Sequence, residues 1–226
     1  MSLIWIIFIG TVLLSYIVQA NLDHKFKKFS EIPLANGMTG RDVAEKMLRD
    51  NGIYDVQVTC VEGHLTDHYN PADHTVNLSR DVYSSCSVAA AAVAAHECGH
   101  AVQHATAYGP LKMRTALVPV VSFASNWVRW VLLAGVMLIE RFPALLLFGI
   151  LLFVTTTLFS FMTLPVEINA SKRALVWLDK SGITNSYNHR DAESALRSAA
   201  YTYVVAALSS LAMLVHYVMI YLGRRD

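Results

Sequence analysis

His96, Glu97 and His100 are the residues of this chain whose types and spacing could act together in chemistry. They stand in the run SVAAAAVAAHECGHAVQHATAYG, good helix-forming sequence from Ala89 to Ala107 with no proline until Pro110. Positions four apart in a helix are separated by about 6 Å along the axis and about 40° around it, so the two imidazoles project from one face and can share one metal ion. Glu97 lies beside them. Two neutral imidazoles for Zn²⁺ and a carboxylate next to a water that the metal would activate are the parts of metal-assisted hydrolysis. Accident is the competing reading in a chain with nine histidines, and the helical context narrows it. Cys98 would point off the face that the histidines share and is expected to turn away from the metal.

The elements that position this motif alternate between apolar and polar. Of 226 residues, 54% are hydrophobic and only 15% charged, well below the roughly one quarter of a soluble domain, which points to a membrane. A net charge of +1 gives no reason to expect nucleic acid as a partner. Cys60, Cys86 and Cys98 are odd in number and lack metal-binding spacing, which fits a reducing compartment better than a disulfide framework.

The apolar segment from Leu3 to Ala20 carries no charge and reads as a retained anchor, residues 1–20. A cleavable signal peptide is the alternative, since Val18-Gln19-Ala20 resembles a cleavage site, but no lysine or arginine precedes the segment. Residues 21–115 are polar and read as the catalytic domain. Within them Thr39 to Asp42 caps a helix whose buried face is Val43, Met47 and Leu48 and which Gly52 ends. Asp55 to Cys60 and Thr75 to Ser79 read as strands, with an Asn70-Pro71 turn signal between them. The second strand leads into the metal helix, and its free edge could hold an extended peptide by main-chain hydrogen bonds; an ordinary hairpin is the plainer reading.

Residues 116–165 read as a transmembrane hairpin, with spans at Ala116 to Ile139 and Ala144 to Leu164 joined by the turn at Glu140 to Pro143. Arg129 inside the first of these is expected to face a cavity or pair with an acid such as Glu140. Residues 166–198 read as a polar helix and loop, and residues 199–226 as a last span. Basic residues near span ends on the side of the polar domain are Lys25, Lys27, Lys28, Lys112, Arg114, Lys172, Arg173, Lys180, Arg190 and Arg197, against Arg141, Arg224 and Arg225 on the other. The positive-inside rule therefore predicts a cytoplasmic active domain.

A hydrolytic zinc needs three protein ligands and one open position. His104 fails as the third, because eight residues of helix place it about 12 Å and about 80° from His96. Glu167 does better: two crossings separate it from the motif, which returns it to the same side of the membrane.

HECGHAVQH, with LTDHYNPADHTVNLSRDVY upstream and LPVEINASKRAL downstream, resembles the YugP-type neutral zinc metallopeptidases of bacterial membranes, over about Thr39 to Tyr203. More distantly it is similar to the HtpX-type membrane peptidases. The resemblance implies a mainly α membrane protein with a small α+β zincin-like catalytic domain and about four transmembrane helices, in a bacterial plasma membrane. It also implies a gluzincin-like centre in which His96, His100 and Glu167 hold zinc and Glu97 is the general base. HtpX-type chains place an aspartate four residues after the ligand glutamate. Here that position is Ser171, with Asn169 two residues after Glu167, so the groups behind the ligands are expected to be different or displaced.

The function expected is hydrolysis of peptide bonds in a polypeptide substrate, a membrane protein among the candidates, by a protein embedded in the lipid bilayer. An oxyanion donor is also required, and His64, His68, Tyr69, Tyr201 and Tyr203 are candidates. Two alternatives stand beside this reading. One is an intramembrane, site-2-like protease whose metal helix lies in the bilayer; the other is a non-catalytic membrane assembly factor that keeps zinc for folding.

Overall fold

The computed structural model describes residues 3–223, so Arg224 and Arg225 of the charge comparison lie outside the described residues. It is mainly helical with one small sheet. In order the elements are α1 (Leu3–Ser30), α2 (Gly40–Asp50), β1 (Gln57–Val61), β2 (His68–Asn70), β3 (Thr75–Ser79), α3 (Arg80–Tyr83), α4 (Val88–Ala105), α5 (Gly109–Met137), α6 (Pro143–Lys180) and α7 (His189–Leu222). Four of these helices, α1, α5, α6 and α7, are long and apolar enough to cross a membrane.

The chain divides into two compact units. One takes the described residues up to Ile17, Lys112–Leu164 and those from Thr202 onward. Leu132, Leu146 and Ile150 form its buried centre, with Phe153, Leu214 and Tyr217 packed against them. Thr157 and Ser210 pair their hydroxyls at 2.7 Å, which satisfies two polar groups that lipid could not. Arg129 makes no ion pair with Glu140: it is exposed and its guanidinium lies 5.8 Å from the centre of the Trp130 ring. A neighbouring ring face is available to a cation without any second charge having to enter the apolar segment, which is why no acid is needed.

The other unit, Val18–Leu111 and Pro165–Tyr201, holds the H-E-x-x-H motif. Thr39 and Asp42 form a reciprocal capping box that starts α2, and Val43, Met47 and Leu48 are buried along its inner face. Ser87 caps α4 by accepting the Ala90 amide at 3.2 Å. Ala89, Ala90, Ala91, Ala92, Ala94 and Ala95 are each at most 2% exposed. The alanines thus do more than favour a helix: side chains this small let α2, the sheet and the 165–201 segment all close on α4.

The sheet order is β1-β3-β2, with β3 parallel to β1 and antiparallel to β2. The strand leading to the metal helix is therefore central and offers no free edge, which corrects the expectation of peptide binding there. The three-residue β2, hidden in a stretch that reads only as a turn, takes one edge instead. Asp67 anchors its start by accepting the Ser79 amide at 2.7 Å.

Helix α6 continues through Pro165, where a missing N–H and a ring clash usually end a helix. Past the proline, Val166, Ala170, Ala174 and Leu178 recur every four residues and are fully buried. That stripe supplies the packing that keeps the helix intact and fixes which way Glu167 turns.

Cys98 is fully buried and its thiol donates toward the Ala44 carbonyl at 3.5 Å, away from His96 and His100, while Cys60 is exposed. Burial pushes the Cys98 thiol well above its ordinary value. A water-soluble thiol reagent should label Cys60 in the folded protein and reach Cys98 only after denaturation, as peptide mapping before and after unfolding would read.

Candidate metal centre

The geometry begins with a helix contact. A Cβ on Gly99 would stand 2.6 Å from the Ala170 carbonyl oxygen, so only glycine lets α4 and α6 approach this closely. Ala170 is one turn beyond Glu167. The approach carries the Glu167 carboxylate to the imidazoles: its Oε2 lies 3.3 Å from His96 Nε2 and 3.6 Å from His100 Nε2. One ligand atom from each of the three residues lies within 4.8 Å of the others, and among the described residues this is the group of histidine, cysteine and carboxylate side chains so placed. Tetrahedral zinc with bonds of about 2.0–2.1 Å separates its ligands by roughly 3.3 Å. The two spacings from Glu167 to the imidazoles fit that requirement.

The far side of each imidazole is also held. His96 Nδ1 pairs with Ser171 Oγ at 3.1 Å, and His100 Nδ1 pairs with Gln103 Oε1 at 3.1 Å. Ser171, four residues after Glu167 on α6, thus stands behind His96. Since the Gln103 oxygen can only accept, His100 donates from Nδ1 and turns the lone pair of Nε2 toward Glu167. Lone-pair atoms facing one another in a buried place need a cation between them. Burial disfavours a charged His100, but Glu167 and Glu97 outweigh it and raise its pKa above the ordinary histidine value in the metal-free protein. A proton meets the demand there, and a divalent cation meets it for all three residues together.

Glu97 is buried and its Oε2 accepts the backbone amide of Tyr69 at 3.0 Å, from the edge strand β2. Of the five residues expected as oxyanion donors, Tyr69 reaches this site, and it does so through its main chain. Its hydroxyl is engaged with His104 Nδ1 at 3.0 Å. That pairing also shows where His104 goes: away from the metal group, against Tyr69 and His74. His68 is engaged with the Thr66 carbonyl and with Asn77. His64 faces Asp81 at 3.7 Å with both side chains exposed. Tyr201 and Tyr203 lie on α7 with exposed rings. Gln103, fully buried against His100, is a member of this cluster that the sequence did not single out. Its signal was its place three residues after His100, on the same helical face.

Comparison with known proteins agrees with this chemistry. The family described as "Putative neutral zinc metallopeptidase" matches residues 4–222. The chain belongs to that family. It is 42% identical over 213 residues, 94% of each chain, to a Bacillus subtilis protein named "Putative membrane protease YugP". No solved structure matches. Zinc is the metal of this family of peptidases, and His96, His100 and Glu167 are the group that fits it here.

Replacing Gly99 with alanine should force α6 away from α4. The expected loss is about 1–3 kcal/mol of stability from overpacking, together with markedly weaker zinc binding. Thermal unfolding and chelator competition on the same purified protein measure the two.

Proposed function

We propose that this protein is a membrane-bound metalloendopeptidase in which His96, His100 and Glu167 hold zinc and Glu97 is the general base. The observation that carries the reading is the convergence of the Glu167 carboxylate on the two Nε2 atoms, with Glu97 next to them on the same helix. When bound, zinc supplies Lewis acidity that brings the pKa of water toward neutrality and polarises a carbonyl. Glu97 takes the proton as water attacks the scissile carbonyl, and the same carboxyl returns it to the leaving amine. The Tyr69 amide fixes one Glu97 oxygen and leaves the other for that proton. The substrate is a polypeptide, and position in a membrane favours membrane proteins and chains near its surface.

The buried surroundings of α4 favour this reading over an intramembrane protease. Its alanine face packs against α2, the sheet and the 165–201 segment of its own unit, which leaves it little surface for lipid. The excess of basic residues beside that unit supports a cytoplasmic orientation in a bacterial plasma membrane. An assembly factor that holds zinc without using it would need Glu97 only for its hydrogen bond to the Tyr69 amide.

Glu97→Gln should keep zinc at wild-type stoichiometry and lower hydrolysis of a denatured protein substrate by about a hundredfold or more. Retained hydrolysis would remove Glu97 from the mechanism, and wild-type hydrolysis equal to the variant's background would favour the assembly factor. Orientation has its own test. In a Cys86→Ser protein, an impermeant thiol reagent should label Cys60 in inside-out vesicles and not in intact cells.

A further inference from the structure

We infer that Gln103 is a positioning residue that ties the two halves of the metal centre together, locking His100 and aiming Glu167 through a single side chain. The inference rests on the reading of His96, His100 and Glu167 as metal ligands. The Gln103 amide is fully buried and all its roles are assigned by its partners. Its nitrogen donates to the Val166 carbonyl at 2.8 Å and to Asn169 Oδ1 at 3.0 Å, and its oxygen faces His100 Nδ1 at 3.1 Å. The amide cannot flip, because the Val166 carbonyl only accepts. With the oxygen thus committed, the neutral His100 ring carries its proton on Nδ1, which leaves Nε2 as the atom that can bind a metal.

The two donor contacts matter for the opposite wall. Val166 immediately precedes Glu167 and Asn169 follows it by two residues, so Gln103 grips α6 on both sides of the ligand. Asn169 is itself held: its oxygen also accepts from Arg173 Nε at 2.8 Å, and the Arg173 guanidinium lies against the Tyr108 ring. The contacts run without a gap from Tyr108 through Arg173, Asn169 and Gln103 to His100. Ser171 gives His96 only a hydroxyl, which rotates and can donate or accept. The strict control of tautomer therefore falls to Gln103, which also ties α4 to α6 beside the Gly99 crossing.

The test uses the full chain in detergent and reads metal binding rather than hydrolysis. Gln103→Met removes all three contacts at similar volume. Gln103→Glu keeps an acceptor for His100 but sets oxygen against the Val166 and Asn169 oxygens. Zinc dissociation constants from chelator competition should rise about 10- to 100-fold in Gln103→Met and by about tenfold in Gln103→Glu. The visible bands of the Co²⁺-substituted protein should shift in both, a change that loss of stability alone would not produce. Wild-type zinc affinity and an unshifted Co²⁺ spectrum in either variant would overturn the inference; if Gln103→Met fails to fold, Gln103→Glu decides. Glu167→Ala is the control for the underlying reading. Wild-type zinc affinity in that protein would sink the ligand assignment itself, whereas loss of zinc there with normal binding in the Gln103 variants would sink only the brace.

Discussion

The structure depends on a close meeting of two imidazoles and a carboxylate, polar groups able to share a proton or a cation. Two imidazole nitrogens and a carboxylate oxygen converge within a few ångströms in a place sheltered from water. Such an arrangement persists only if the surrounding packing enforces it. The enforcing contact is the crossing of α4 and α6 at Gly99 and Ala170, closer than any side chain at position 99 would permit. The alanines of α4 and the buried stripe from Val166 to Leu178 hold the crossing from either side.

A hydrogen-bond layer then orients these groups. Ser171 and Gln103 hold the Nδ1 atoms of the two histidines, so their Nε2 atoms are the ones aimed at Glu167. On the other flank the amide of Tyr69 holds Glu97 from the edge of the sheet. Helix and sheet thus divide the work: α4 and α6 build the candidate metal group, and β2 holds Glu97 beside it. The same α6 that carries Glu167 begins as an apolar segment long enough for a bilayer.

Much of this was legible in the order of residues. The four-residue spacing of His96 and His100 needs only the pitch of a helix to be read as a shared face, and the apolar runs need only their length to be read as spans. The capping box at Thr39 and the strand at Thr75–Ser79 are local signals that packing did not override. Cys98 turns away from the metal because helix geometry alone puts it off the shared face.

What the chain order could not disclose are relations between distant segments. β3 lies between β1 and β2, because strand order depends on which edges meet after the chain has folded, not on which strand precedes the metal helix. Arg129 found a ring rather than an acid, since the partner of a charge is whatever packing brings near it. Pro165 is a helix breaker by local rules, yet a stripe of buried contacts beyond it outweighs the lost hydrogen bond. Sequence by itself determined the donor types and the face they share, since spacing along one helix is a local property. Tertiary structure decided that Gly99 is a crossing point, that Gln103 spans it and that Tyr69 works through its backbone, because each of those roles exists only once a second segment has arrived.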